Sequence, residues 1–332
     1  MNKNYRIKLI IGILLIAGFI YFFSFAGVDE LINPIRIDSL YVKAQETDYK
    51  QQQTNQNNTI IPHFYYSPEN FGMCYTNLEV ITIDSLKLRG WYIPSCDNTN
   101  STTLLIIHDL NESRITSLET AKQFNERGYS VCLFDMRAHG TSEGEYATFG
   151  HMEKYDVQNI IDTLMKEDPS KNIAVLGIGV GATIALQAAN MDLRIKVIIA
   201  QSPFNNLYNF VKTYADEKWN ILNPILFPMI KNHLEDELKF NLSSIDMVTL
   251  AKKITVPTLF IAGTSDKVLK SQSTREVFYE CCALKKEYWP IKNATHSSIE
   301  ETAGVTYYDR ISIYLVNNMP KKSKKTRFKK LV

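Results

Sequence analysis

Ile173–Ala182 reads IAVLGIGVGA: an apolar run, glycine at 177, 179 and 181, then an alanine-rich stretch. A short unbroken apolar run has the form of a strand buried on both faces. The helical pattern of Ala182–Ala189 follows at once, so the glycines mark a tight turn from strand into helix. Runs of the same kind recur at Thr103–His108 (TLLIIH), Ser130–Asp135 (SVCLFD), Val197–Ala200 and Thr258–Ala262. Between them lie amphipathic stretches at Ser117–Glu126, Glu153–Met165 and Gln272–Cys281. Strand alternating with helix predicts the α/β class, a mostly parallel, doubly wound sheet covered on both faces. Glu79–Asp84 and Lys87–Ile93 are expected to form an antiparallel pair turning at Ser85. Asn205–Glu237, with Trp219, Pro224 and Pro228, interrupts the rhythm; it reads as a short helical lid insert or as extra core helix.

The glycine turn also fits Gly-x-Gly-x-x-Ala between a strand and a helix, the dinucleotide fingerprint. That fingerprint opens the first βαβ unit and is followed about 20 residues later by an acidic residue. Here it comes late, and the next strand ends in Ala200-Gln201-Ser202, so no cofactor is expected.

The chain has 332 residues, 45% of them hydrophobic and 22% charged, with a net charge of +2, which suggests neither disorder nor nucleic-acid binding. Lys321, Lys322, Lys324, Lys325, Arg327, Lys329 and Lys330 crowd the C-terminus, so the body is mildly acidic and the tail strongly basic. Such a tail is a solvated end or a contact for an anionic membrane surface. The five cysteines (Cys74, Cys96, Cys132, Cys281 and Cys282) lack CxxC spacing, which argues against a zinc site or a disulfide framework.

Lys3, Arg6 and Lys8 precede an uncharged run over 9–28, about the ~20 residues needed to span a bilayer. Positive charge before the run and Asp29 and Glu30 after it predict a single-pass anchor in the cell membrane, with the domain on the extracytoplasmic side. A cleaved signal peptide ending near Ser24-Phe25-Ala26 is the rival. The expected organisation is a cytoplasmic N-terminus at 1–8, an anchor at 9–28 and a membrane-proximal linker at 29–63. The folded domain then occupies 64–318, with its lid at 205–237, and the basic tail 319–332.

Five segments together resemble the alpha/beta-hydrolase superfamily, in its serine-aminopeptidase-like, lysophospholipase-like branch. They are LKLRGWYIP (Leu86–Pro94), HDLNESR (His108–Arg114), DMRAHGTSEG (Asp135–Gly144), GIGVG (Gly177–Gly181) and GTSDKV (Gly263–Val268), followed by His296. The resemblance implies an acid at Asp266, a base at His296 and an oxyanion hole from the N–H groups of Leu110 and Val180. It also implies a nucleophilic serine on a Gly-x-Ser-x-Gly elbow. This sequence departs from the pattern twice. Gly179 stands where the serine is expected, and the oxyanion loop begins His108-Asp109 in place of His-Gly. A carboxylate at Asp109 would oppose a developing oxyanion unless it points to solvent. The expectation is therefore a membrane-anchored hydrolase-like protein without serine chemistry, acting in binding or regulation of a small-molecule, acyl or peptide ligand. The alternative is a hydrolase of esters, thioesters or peptides using His296-activated water or another nucleophile.

Overall fold

The computed structural model describes residues 3–34, 67–95 and 101–320. Eight strands form one sheet in the order β1 (Thr76–Ile81), β2 (Lys87–Ile93), β4 (Ser130–Phe134), β3 (Thr102–Ile107), β5 (Asn172–Ile178), β6 (Ile195–Gln201), β7 (Thr258–Gly263) and β8 (Lys286–Ile291). The pairs β1–β2 and β2–β4 are antiparallel, and all others are parallel. The hairpin turns at Ser85, which has a positive φ of 67°. β3 is buried along its whole length, because helices cover the sheet on both faces. Leu105, Ile107, Phe134 and Val175 face one core; Leu104, Ile106, Leu133 and Leu176 face the other. This is the two-residue alternation of a strand between two apolar layers.

The helices are α1 (Lys3–Ile32), α2 (Leu118–Glu126), α3 (Glu153–Glu167), α4 (Val180–Met191), α5 (Leu207–Trp219), α6 (Asn223–Leu238), α7 (Met247–Ala251), α8 (Ser271–Glu280), α9 (Ile299–Ala303) and α10 (Val305–Asn318). The lid-like segment is the pair α5 and α6. Asn206 caps α5 by accepting from the N–H groups of Tyr208 and Asn209. Pro224 lies in the first turn of α6, where its missing N–H costs nothing, while Pro228 lies inside the helix. Leu226, Phe227, Ile230 and Leu234 are buried, so the insert contributes core as well as cover.

β8 was not expected from sequence. Its segment KEYWPI is polar and half-exposed and pairs on one side only, with β7, so it shows neither a buried run nor a clean alternation.

The N-terminal segment differs from expectation. Val28, Leu31 and Ile32 are buried in the domain core, Gly27 packs against Trp219 and Ile230, and the Ala147 N–H donates to the Ile32 carbonyl at 2.9 Å. Residues expected to end a span and begin a linker thus belong to the folded body. Among the described residues, no helix is long and apolar enough to cross a membrane. Most of the 29–63 linker and all but the first two residues of the basic tail lie outside the described residues, as does Cys96. Cys281 is buried beyond the end of α8, whereas Cys282 is exposed.

The DMRAHGTSEG segment folds into a loop after β4 that braces the site. Buried Asp135 accepts from the N–H groups of Arg114 (2.8 Å) and Thr141 (3.0 Å). Arg137 bridges Asp84 (2.9 Å) and buried Asp156 (2.7 Å). Burial raises the Asp156 carboxyl to about 6 despite its Arg137 partner. Arg137→Met should therefore cost about 3–5 kcal/mol in urea unfolding, because it strands a buried carboxylate. The Asp156 contribution should also show as a loss of that cost when Arg137→Met is combined with Asp156→Leu. A cost below about 1 kcal/mol for the single variant would show that the clasp is a surface-type pair.

Candidate active site

The site sits at the C-terminal ends of β3, β5, β7 and β8, where loops leave the sheet. Each local turn has a cause in the sequence. β5 runs directly into α4 through Gly179, whose φ of 56° and ψ of −116° lie where a side chain is strained. The Gly179 N–H donates to the Gln201 carbonyl at 2.8 Å, fixing the turn to the end of β6. The loop after β3 carries His108 and Asp109. His108 is buried; its Nε2 accepts from the Met136 N–H at 3.1 Å while its Nδ1 meets the Asp109 carbonyl at 2.7 Å. A neutral His108 with the proton on Nδ1 satisfies both contacts, so this ring joins the β3 loop to the β4 loop.

The structure brings Asp266 and His296 together. Asp266 Oδ2 lies 2.7 Å from His296 Nδ1, and Asp266 Oδ1 accepts from the N–H groups of Val268 (3.1 Å) and Leu269 (2.9 Å). The Asp266 side chain is 1% exposed and the His296 ring 31%. His296 does not face an empty space, however. Its Nε2 lies 2.6 Å from Asp109 Oδ2.

Asp109 is the residue whose importance the sequence did not convey. Of the two orientations open to it, the structure has the inward one. Its Oδ1 accepts from the N–H groups of both Leu110 and Val180, each at 2.7 Å. These are the two groups expected to hold a substrate oxyanion. A side-chain carbon added to Gly179 would overlap the Asp109 carboxylate. One short acidic side chain therefore fills the space beside residue 179, occupies the paired N–H groups and closes on the histidine. Gly179 and Asp109, the two departures from the pattern that the resemblance implies, are complementary in space.

The electrostatics follow. Burial by itself would lower the His296 pKa. Its hydrogen bonds to Asp109 and Asp266, and the charges of those carboxylates, outweigh this and push it up to about 10. At neutral pH the ring is an imidazolium held between two carboxylates. Glu112, whose Oε2 receives the Asp109 N–H at 3.4 Å, is raised chiefly by burial and next by the Asp109 charge. The proton on His296 thus balances negative charge carried by this loop.

Thr183 and Ser202 do not replace a nucleophile. Thr183 is fully buried in α4, and Ser202 is fully buried after β6 with a positive φ of 52°. His139 is also buried, with its Nδ1 at 2.8 Å from the Arg137 carbonyl and its ring edge-on to His108 at 4.8 Å, a structural placement within the braced loop. No group of His, Cys, Asp and Glu among the described residues is arranged to hold a metal ion.

Comparison with known proteins bears on the fold and the family. Residues 98–234 match the family model described as serine aminopeptidase, S33. The uncharacterized protein YqkD of Bacillus subtilis is 24% identical over 238 residues, covering 69% of this chain and 75% of that protein. The thiohydrolase aneE of Aspergillus aculeatus is 31% identical over 142 residues, covering 41% of this chain and 43% of that one. Among solved structures, the Pyrococcus furiosus esterase Pf2001 superposes with a TM-score of 0.66 at 24% identity, over 79% of this chain and 97% of the esterase. The strand order, the strand-to-helix turn at Gly179 and these matches agree: the chain has the alpha/beta-hydrolase fold, and its segment 98–234 is similar to the serine aminopeptidase S33 family model.

Proposed function

We propose that this chain is a hydrolase-fold protein without serine acyl-transfer chemistry, in which Gly179 stands at the nucleophile position and Asp109 has taken over the centre. The observation that carries this reading is the pair of 2.7 Å hydrogen bonds from Leu110 and Val180 to Asp109 Oδ1. Hydrolysis at an ester, thioester or amide carbonyl needs those N–H groups free for the substrate's own oxygen. Here they are satisfied internally, by an atom that already bears negative charge. The acyl chemistry in the names of the thiohydrolase and esterase relatives therefore does not carry over with the fold, and binding or regulation is the role left toward acyl or peptide ligands. The same geometry speaks against water activated by His296, because an imidazolium donating from both nitrogens has no lone pair to accept a proton.

The apolar side chains that α1 exposes, including Ile10, Ile11, Leu14, Leu15, Phe19 and Phe22, support attachment to a membrane. The charges at Lys3, Arg6 and Lys8 then favour an extracytoplasmic domain. On this reading the protein stays in the membrane fraction after a carbonate wash and is released by detergent. A soluble form whose N-terminal residue is Gly27 would show cleavage instead.

Three further outcomes test the site. Wild-type protein should not be labelled by a fluorophosphonate. Gly179→Ser alone should also fail to label and should lose about 1–3 kcal/mol or more, since a side chain there meets both the strained backbone and Asp109. Gly179→Ser combined with Asp109→Gly should label, because the hydroxyl then has its space and the N–H pair is free. Labelling of the wild type at another serine would overturn the reading.

The pH dependence of stability has a definite sign. His296 holds its proton in the folded state up to about pH 10 but releases it near its ordinary value of about 6.5 when unfolded. Its stabilising contribution is complete below pH 6.5 and is lost as pH rises toward 10. Thermal melts should show Tm falling through this window in the wild type, with a shallower fall in His296→Gln.

A further inference from the structure

We propose that the connection between α5 and α6 inserts into the same membrane surface as α1, so that the folded body is docked on the bilayer at two points. The proposal rests on the attachment through α1 argued above and adds where the body itself meets lipid. Trp219–Ile230 (WNILNPILFPMI) contains no charged residue. Part of this run has an internal use, since Leu226, Phe227 and Ile230 are buried. The remainder faces outward. Ile221, Leu222 and Ile225 are 86%, 50% and 55% exposed, with Pro224 and Pro228 exposed beside them. A single exposed isoleucine is ordinary, but three large apolar side chains within five residues at the tip of a helix pair form a patch.

The neighbour of this patch is α1. Trp219, which opens the run, lies against Gly27 of α1 together with Ile230. Further along α6, the His233 ring packs edge-on against Tyr21 and Phe25, with centroids 5.4 and 5.9 Å apart. Before that contact α1 stands clear of the body: none of the described residues from 10 to 22 is buried, and nearly all of them are apolar. A helix apolar all round takes a core or lipid as its surroundings, and here it has no core. Charge marks the other boundary. Asp29 and Asn33 of α1 line a cleft of about 160 Å³ with Asp236 and Glu237 of α6 and Tyr146. Both helices therefore bring their polar ends together, and both have their uncharged sequence on the far side of the His233 contact.

The groups at the edge of the patch suit a lipid interface. The Lys218 ammonium lies 5.5 Å over the Trp219 ring and 5.9 Å over that of Tyr214, an aromatic and basic pairing that sits well at headgroup level. Three apolar side chains reach only a shallow layer, about 5–10 Å deep. They are too few for a stable dimer interface, which takes about 20–30 residues a side. A membrane already held by α1 needs little further affinity, because the tether keeps the patch at high local concentration. α5 leaves the sheet at the C-terminal end of β6, the end that carries Asp109 and His296, so docking turns the site toward ligands carried in the bilayer.

The test uses the full-length chain in phosphatidylcholine vesicles, with Cys74→Ser, Cys96→Ser and Cys282→Ser and a nitrobenzoxadiazole label on Ile221→Cys. A second preparation carries the label on Leu284→Cys, since Leu284 is fully exposed just before β8, at the opposite end of the sheet. Neither label replaces a packed side chain. The Ile221→Cys label should emit further to the blue, lose intensity when doxyl-labelled lipid is present and be shielded from iodide. The Leu284→Cys label should be quenched by iodide alone. Equal iodide quenching at both positions, in protein that sediments with the vesicles, would overturn the proposal and leave the attachment through α1 standing. Shielding from iodide without quenching by doxyl lipid would also overturn it, by showing that a second copy covers the patch. Protein that fails to sediment with the vesicles sinks this proposal and the attachment reading together.

Discussion

The structure depends on one interaction: the Asp109 carboxylate held at once by the N–H groups of Leu110 and Val180 and by His296. It joins three separate parts of the chain, the loop after β3, the start of α4 and the loop after β8. It also explains Gly179. With Asp109 in place, no side chain fits at 179, and without a side chain at 179, the carboxylate has room to turn inward. Asp109, His296 and Asp266 together form a satisfied ionic unit, with two carboxylates sharing one imidazolium.

The rest of the fold keeps this unit rigid. His108 ties the Asp109 loop to Met136, and Asp135 ties the following Arg114 to Thr141. Arg137 in turn clasps Asp84 and Asp156 at the edge of the same loop. His108, Asp135, Arg137 and Asp156 are buried and paired, so shifting the loop would expose or orphan several of them at once. A braced loop is what allows a short side chain such as aspartate, with little reach of its own, to meet two backbone N–H groups and a histidine together. The C-terminal end of α1 packs against the segment formed by α5 and α6, with Gly27 on Trp219 and Ile230.

Much of the architecture was legible in the sequence because it rests on local rules. The apolar runs at β3, β4, β5, β6 and β7 are short and unbroken because both faces of a central parallel strand are covered. Ser85 sits at the hairpin turn and Gly179 at the strand-to-helix turn, as their spacing implied. β8 is not legible in the sequence because an edge strand with one partner carries no comparable pattern. The charges of Asp29 and Glu30 make Leu31 and Ile32 read as linker in sequence. On a helix, neighbours in sequence point to different faces, and the apolar pair turns inward while Asp29 stays exposed.

By itself the sequence determined seven of the eight strands, the turn at Gly179 and the candidate groups of the site: Asp109, Asp266, His296 and the N–H groups of Leu110 and Val180. The tertiary structure decided what those groups do to one another. Whether Asp109 faces solvent or the oxyanion hole depends on one side-chain torsion. That torsion is set by residues 71 and 187 positions away in the chain, and no local pattern encodes it. The protonation of His296 is decided in the same way, since it follows from how close two carboxylates from different loops approach one ring.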